Sequence, residues 1–198
     1  MTRTMSLVVF AALLAACTGQ SAHVRYSGQV AAPQVAYRID GNRYFEVVPL
    51  ENMACARARL YYTDQARGIH TDVASWDRVS DGAFVIDAAN DQYLVAPIIV
   101  SSSGCQTGDG ASFTCTSRLP YSTDAGRTWK LHISRWTGGG DVYMARSEVY
   151  YAGARSSVQA LTEGYEDKIW SEGVLSNFPK PTGQPIDTRF HCNSNGMK

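Results

Sequence analysis

The side chains that could do acid–base or nucleophilic chemistry are few and widely spaced. Four histidines, His23, His70, His132 and His191, are scattered along 198 residues, and His70 with Asp72 is the nearest thing to an acid–base pair. A general base must lie within hydrogen-bond reach of the proton it takes, and this single pair reads more simply as a surface or satisfied histidine. Ser101-Ser102-Ser103-Gly104 lacks the Gly-x-Ser-x-Gly elbow that exposes a nucleophilic serine at a strand-to-helix turn. Thr137-Gly138-Gly139-Gly140-Asp141 has neither the lysine nor the following helix of a phosphate-cradling loop. There is no Cys-x-x-Cys, and His191 beside Cys192 would point to opposite faces of an extended strand. No catalytic residue, no metal and no cofactor are expected.

The remaining reactive groups are cysteines. Arg3 and the apolar run from Ser6 to Ala16, too short to cross a bilayer, have the form of an export signal. The run ends Leu14-Ala15-Ala16-Cys17, which resembles the bacterial lipobox. That resemblance implies diacylglyceryl transfer to the Cys17 thiol and cleavage before it. Thr18, where an aspartate would resemble an inner-membrane retention signal, implies transfer to the outer membrane and leaves the side of that membrane open. The expected organisation is a signal peptide at 1–16, a lipidated, small and polar tether at 17–33, and a single β-rich domain at 34–198.

Four cysteines then remain in an oxidising compartment: Cys55, Cys105, Cys115 and Cys192. Three pairings are possible. Cys105 and Cys115 bracket a Gly-rich turn, so proximity favours closing that loop and leaves Cys55 with Cys192. With Arg3 removed, 17 basic residues face 18 acidic ones without a basic run, which gives a nucleic-acid partner no electrostatic support. Membrane attachment falls to the lipid.

The elements around these residues read as strands. Arg43 to Val48, Ala58 to Thr63, Gly82 to Asp87, Gln92 to Val100, Ser112 to Ser117, Lys130 to Trp136, Asp141 to Ala145 and Ser147 to Gly153 are short, rich in β-branched and aromatic residues, and separated by turn chemistry. Asp40-Gly41-Asn42 and Gly138-Gly139-Gly140 are among the breakers. Only Ser156 to Trp170 could hold a helical turn or two. The expected fold is mainly β, with antiparallel sheets in a small propeller-like or sandwich architecture.

Between two of these strands stands Ser122-x-Asp124-x-Gly126-x-Thr128-Trp129. It resembles the Asp box, a hairpin motif of sialidases and other β-rich proteins, and it fills every defining position. The roles are structural: Asp124 accepts from turn amides and hydroxyls, Gly126 takes a positive φ, and Trp129 tucks beneath the turn. Tyr61 to Gly68 echoes Tyr121 to Thr128 sixty residues upstream, sharing Tyr, Thr, Asp and Arg. A true repeat would imply successive blade-like sheets, and chance similarity is the alternative. At about 45 residues per blade the chain is too short for a six-bladed sialidase propeller, and the sialidase arginine motif near the N-terminus is missing.

Tyr37 to Asp64, Trp76 to Asp87 and the Ser122–Trp129 turn together resemble the lipoprotein immunity proteins encoded beside phospholipase effectors of the type VI secretion system. The resemblance implies a periplasmic protein that binds an incoming lipase effector and blocks it, with no catalytic residue of its own. Trp136, Tyr150 and Tyr151 are interface candidates by composition, since aromatic side chains anchor interfaces, although strand aromatics more commonly lie in a core. A glycan-binding or glycan-cleaving envelope lipoprotein is the alternative reading of the same β scaffold.

Overall fold

A computed structural model describes residues 30–51, 55–76, 78–79, 82–107, 113–133, 140–168 and 178–192. The first sheet is an antiparallel meander of β1 (Gln34–Arg38), β2 (Arg43–Pro49), β3 (Ala58–Asp64) and β4 (Ile69–Trp76), paired in chain order. In β2 the period of two is unbroken: Arg43, Phe45, Val47 and Pro49 are buried, while Tyr44, Glu46 and Val48 are only partly covered. The turn into β2 is set by Asp40, whose Oδ1 accepts the N–H of both Asn42 and Arg43 at 2.8 Å.

The chain then supplies short segments to two further sheets. β5 (Arg78–Val79), β7 (Leu94–Val95), β8 (Ile99–Thr107), β9 (Phe113–Ser122) and β10 (Lys130–Ile133) form the second, in the order β10-β9-β8-β5 with β7 also on β9. β6 (Phe84–Val85) joins β11 (Val142–Ala145), β12 (Glu148–Tyr151), β13 (Ala154–Ser157) and β14 (Asp167–Lys168) in the third, ordered β14-β13-β12-β11-β6. The β6–β11 pair is parallel and the other ladders are antiparallel.

The mainly β, antiparallel expectation holds. Two runs are shorter than their composition suggests. Gly82 to Asp87 contributes only Phe84 and Val85 to a strand. Gln92 to Val100 breaks into β7 and the start of β8 around Pro97, which has no N–H to give to a ladder. Among the described residues of Ser156 to Trp170 the only helical piece is a 3-10 turn, Ala160–Glu163, closed by Gly164 at φ +73°.

One aromatic cluster joins the three sheets. Phe84 of β6 packs edge-on against Tyr37 at 4.5 Å and Phe45 at 6.0 Å, and Phe45 meets Trp129, just before β10, at 5.8 Å. Tyr37, Phe45, Tyr62, Phe84, Leu119 and Tyr151 are fully enclosed. Burial raises the hydroxyl pKa of Tyr37, Tyr62 and Tyr151 far above the ordinary tyrosine value.

The C-terminal segment covers the outer edge of β1. Ile186, Asp187 and His191 donate their N–H groups to the carbonyls of Ile39, Arg38 and Ala36 at 3.1, 3.0 and 2.7 Å. The Cys55–Cys192 disulfide, spanning 137 residues with Cα atoms 5.6 Å apart, fastens this segment to the start of β3. An edge that would otherwise offer unpaired backbone groups is thereby satisfied.

Candidate functional site

The Ser122–Trp129 turn is a closed hydrogen-bond network. Ser122 Oγ donates to Asp124 Oδ1 at 2.8 Å and accepts the N–H of Gly126 at 2.9 Å. Thr128 gives its N–H to Asp124 Oδ1 at 2.9 Å and its hydroxyl to Oδ2 at 2.7 Å. Partial burial alone would raise the Asp124 pKa. The hydrogen bonds from Thr128 and Ser122 outweigh it and hold the carboxyl below its usual range. Gly126 sits at φ +81°, where a Cβ would lie 2.3 Å from the ring of Tyr62. The Trp129 indole N–H reaches Thr71 Oγ1 and the Gly126 carbonyl, both at 3.1 Å. The turn therefore docks the second sheet onto β4 of the first. All of the Asp124 bonds described run within the turn.

The echo at Tyr61 to Gly68 occupies the equivalent place in the first sheet. Asp64 ends β3 and accepts the Arg67 N–H at 3.1 Å, with Gly68 at φ +64° closing the turn into β4. Both turns join consecutive strands of a meander, β3 to β4 and β9 to β10.

A second polar centre is formed by the Asp87–Tyr93 loop, which composition alone does not single out. The buried Asp87 carboxylate accepts four backbone N–H groups: Ala89 at 3.1 Å and Gly183 at 2.8 Å on Oδ1, Arg146 and Thr182 at 2.9 Å on Oδ2. Burial alone would push its pKa up. The four amides outweigh that effect and hold the carboxyl below the ordinary value. Arg43 reaches the same loop from below, bonding the carbonyls of Asn90 at 2.7 Å and of Ala88, while its Nε pairs with Asp40 at 2.6 Å. Arg67 pairs with Asp91 at 2.8 Å. An open cleft of about 390 Å³ runs along the loop between Tyr93 and Arg146. Its buried carboxylate is committed to the backbone, so the arrangement clips three sheets together. The local signal was a lone aspartate followed three residues later by Asn90, whose Oδ1 accepts the N–H groups of Gln92 and Tyr93.

The histidines fall apart as a constellation. His70 stacks on Tyr61 with centroids 5.0 Å apart and meets Thr63 Oγ1 at 2.9 Å, whereas Asp72 pairs with Arg59 at 3.2 Å. His132 is buried, with Nε2 3.2 Å from Glu166 Oε2, and the same oxygen accepts the Tyr151 hydroxyl at 2.8 Å. This contact ties β10 to the third sheet. Glu166 was hidden in the segment whose spacing reads as weakly helical.

The aromatic interface candidates are relocated. Tyr150 and Tyr151 are 8% and 0% exposed, so both belong to the interior and neither can anchor a partner. Adjacent strand residues ordinarily face opposite ways, but here β12 lies covered on both faces, with Phe178 6.4 Å from Tyr150 on one of them. Trp136 lies outside the described residues, as does Cys17. Cys105 and Cys115 are direct cross-strand partners in the β8–β9 ladder. Among the described residues no group of three or more His, Cys, Asp or Glu side chains is arranged to hold a metal ion.

The fold and its polar centres thus define a disulfide-fastened β protein whose described polar clusters are consumed in holding sheets together. A family model described as the type VI secretion system Tli3 immunity protein matches residues 29–156, more than half of the chain. The chain belongs to that family of immunity proteins. A search of curated proteins finds no match. The matched span contains the first and second sheets, the Ser122–Trp129 turn, the Asp87 loop and most of the third sheet.

Proposed function

We propose that this protein is an exported lipoprotein that binds and neutralises a cognate lipase effector of the type VI secretion system. Family membership over residues 29–156 carries the proposal, because an immunity protein acts on the effector with which it is paired. The lipobox ending at Cys17 supports a periplasmic address, which is where a lipase attacking envelope phospholipid would have to be met. Neutralisation proceeds by occupancy, with no bond made or broken in the effector. The internally satisfied states of Asp87, Asp124 and His132 are in keeping with that reading.

Stoichiometry distinguishes occupancy from catalysis. The soluble domain, titrated into the lipase encoded in the adjacent gene while phospholipid hydrolysis is followed, is expected to abolish activity near one equivalent. Loss of lipase activity at far lower ratios would reveal an enzyme, and a flat titration with no complex would remove the immunity assignment to a lipase.

A further inference from the structure

The second sheet ends in β10, whose outer edge pairs with no other strand among the described residues. β10 pairs with β9 in the register Leu131 opposite Pro120 and Ile133 opposite Arg118. The Pro120 carbonyl accepts the Ala96 N–H at 2.9 Å and therefore points away from β10. Leu131, directly opposite, occupies a non-hydrogen-bonded position, so its own N–H and C=O face outward, and those of Ile133 do the same two residues on. Among the described residues no strand pairs with that side of β10.

The side chains of the same two residues are apolar and open to solvent, 45% for Leu131 and 57% for Ile133. Sheet edges are normally blunted by charge or covered by other chain, as the C-terminal segment covers β1. Here the outward residues carry no charge. The third feature is Arg118, on the same face as Leu131 and Ile133. Its Nε is buried without a hydrogen-bond partner, and none of the ion pairs among the described residues includes it. A buried donor left unsatisfied is costly, and a carboxylate is the ligand that satisfies a guanidinium best.

We propose that β10 is the effector-docking edge, and that it takes an extended effector segment with alternating apolar side chains and a carboxylate that reaches Arg118. The inference rests on the immunity reading above and names the surface it uses. Backbone hydrogen bonds to Leu131 and Ile133 supply affinity, and the apolar contacts and Arg118 supply selectivity, as in strand addition to a sheet edge. The buried His132–Glu166 contact holds β10 from its inner side, so the edge is presented without prior ordering.

The experiment measures binding of the soluble domain to the adjacent-gene effector by interferometry, with hydrogen exchange on the complex. Leu131→Asp and Ile133→Asp are each expected to weaken binding by about tenfold or more, and Arg118→Gln to weaken it measurably. Ile186→Asp, at a residue 61% exposed on another part of the surface, is the control and should bind as wild type. The amides of Leu131 and Ile133 should gain protection on complex formation. Wild-type affinity in both Asp variants with unprotected amides overturns the docking edge while leaving the immunity reading intact. A free-protein dimer that Ile133→Asp dissolves would assign the edge to a second copy and overturn it too. The absence of any wild-type complex overturns both readings.

Discussion

The Asp87 carboxylate accepts the backbone N–H of Gly183 at 2.8 Å, joining a loop beside the first sheet to a segment 96 residues later. Three other backbone amides share that carboxylate, and no cation does so among the described bonds. An asparagine there would turn an NH2 group toward donors that need an acceptor. Asp87→Asn is therefore expected to lower stability by about 2–4 kcal/mol. Urea unfolding of both proteins at pH 7 checks this, and equal midpoints would show that the four amides find other acceptors.

The same carboxylate gives a pH dependence with a definite sign. Its folded-state pKa is depressed, so the unfolded chain binds the proton first as pH falls. The stabilisation is fully present above the unfolded aspartate value near pH 4 and is lost as pH drops through the lower folded value. Asp40 and Asp124 are depressed in the same direction and add to the effect. Wild-type stability should fall steeply below about pH 4, and Asp87→Asn should show a shallower fall. Parallel acid-unfolding curves for the two proteins would contradict the assignment.

Asp124→Ala removes the acceptor for the Thr128 amide and hydroxyl and for the Ser122 hydroxyl. A loss of about 1–3 kcal/mol is expected, with effector binding per folded molecule unchanged. Reduced binding with an unaltered melting curve would instead make Asp124 a contact residue.

Gly126→Ala places a methyl group 2.3 Å from the Tyr62 ring at a φ of +81°. Overpacking and backbone strain act together, so a loss of about 2–4 kcal/mol is expected in thermal or urea unfolding. Gly68 has a similar φ but open space around it, and Gly68→Ala should cost less, about 1 kcal/mol. Equal losses at the two glycines would mean that the approach to Tyr62 contributes nothing.

Cysteine chemistry separates the two ends of the molecule. Non-reducing peptide mapping should recover Cys55 with Cys192, and Cys105 with Cys115, which the β8–β9 register sets opposite each other. Cys17→Ser should abolish palmitate incorporation while leaving both bridges in place. A crossed pairing, or equal labelling of mutant and wild type, would contradict these assignments separately.

Much of this protein was legible locally. The alternation in Arg43 to Val48 announces β2 because a half-buried strand needs a period of two. Asp124 and Gly126 announce a hairpin because the hydrogen bonds of the one and the positive φ of the other are met within eight residues. Strands that mix faces were harder to read. β4 carries His70, Asp72 and Ser75 toward solvent, and β1 is short and interrupted by a bulge, so neither has a run of strand-forming residues.

What the sequence determined by itself was whatever a single segment can satisfy: the β class, the turns, and the family resemblance in Tyr37 to Asp64. The tertiary structure decided which residues face solvent and which distant groups meet. Tyr150 and Tyr151 look like contact residues in a string of letters and are buried because β12 is covered on both faces where they lie. Asp87 looks ordinary and becomes a four-amide clip only when residues 146, 182 and 183 arrive. The outward edge of β10 depends on where the Pro120 carbonyl points, and that direction is set by Ala96, just after β7. Burial and hydrogen-bond direction are properties of pairs brought together by the whole chain, and no local pattern encodes them.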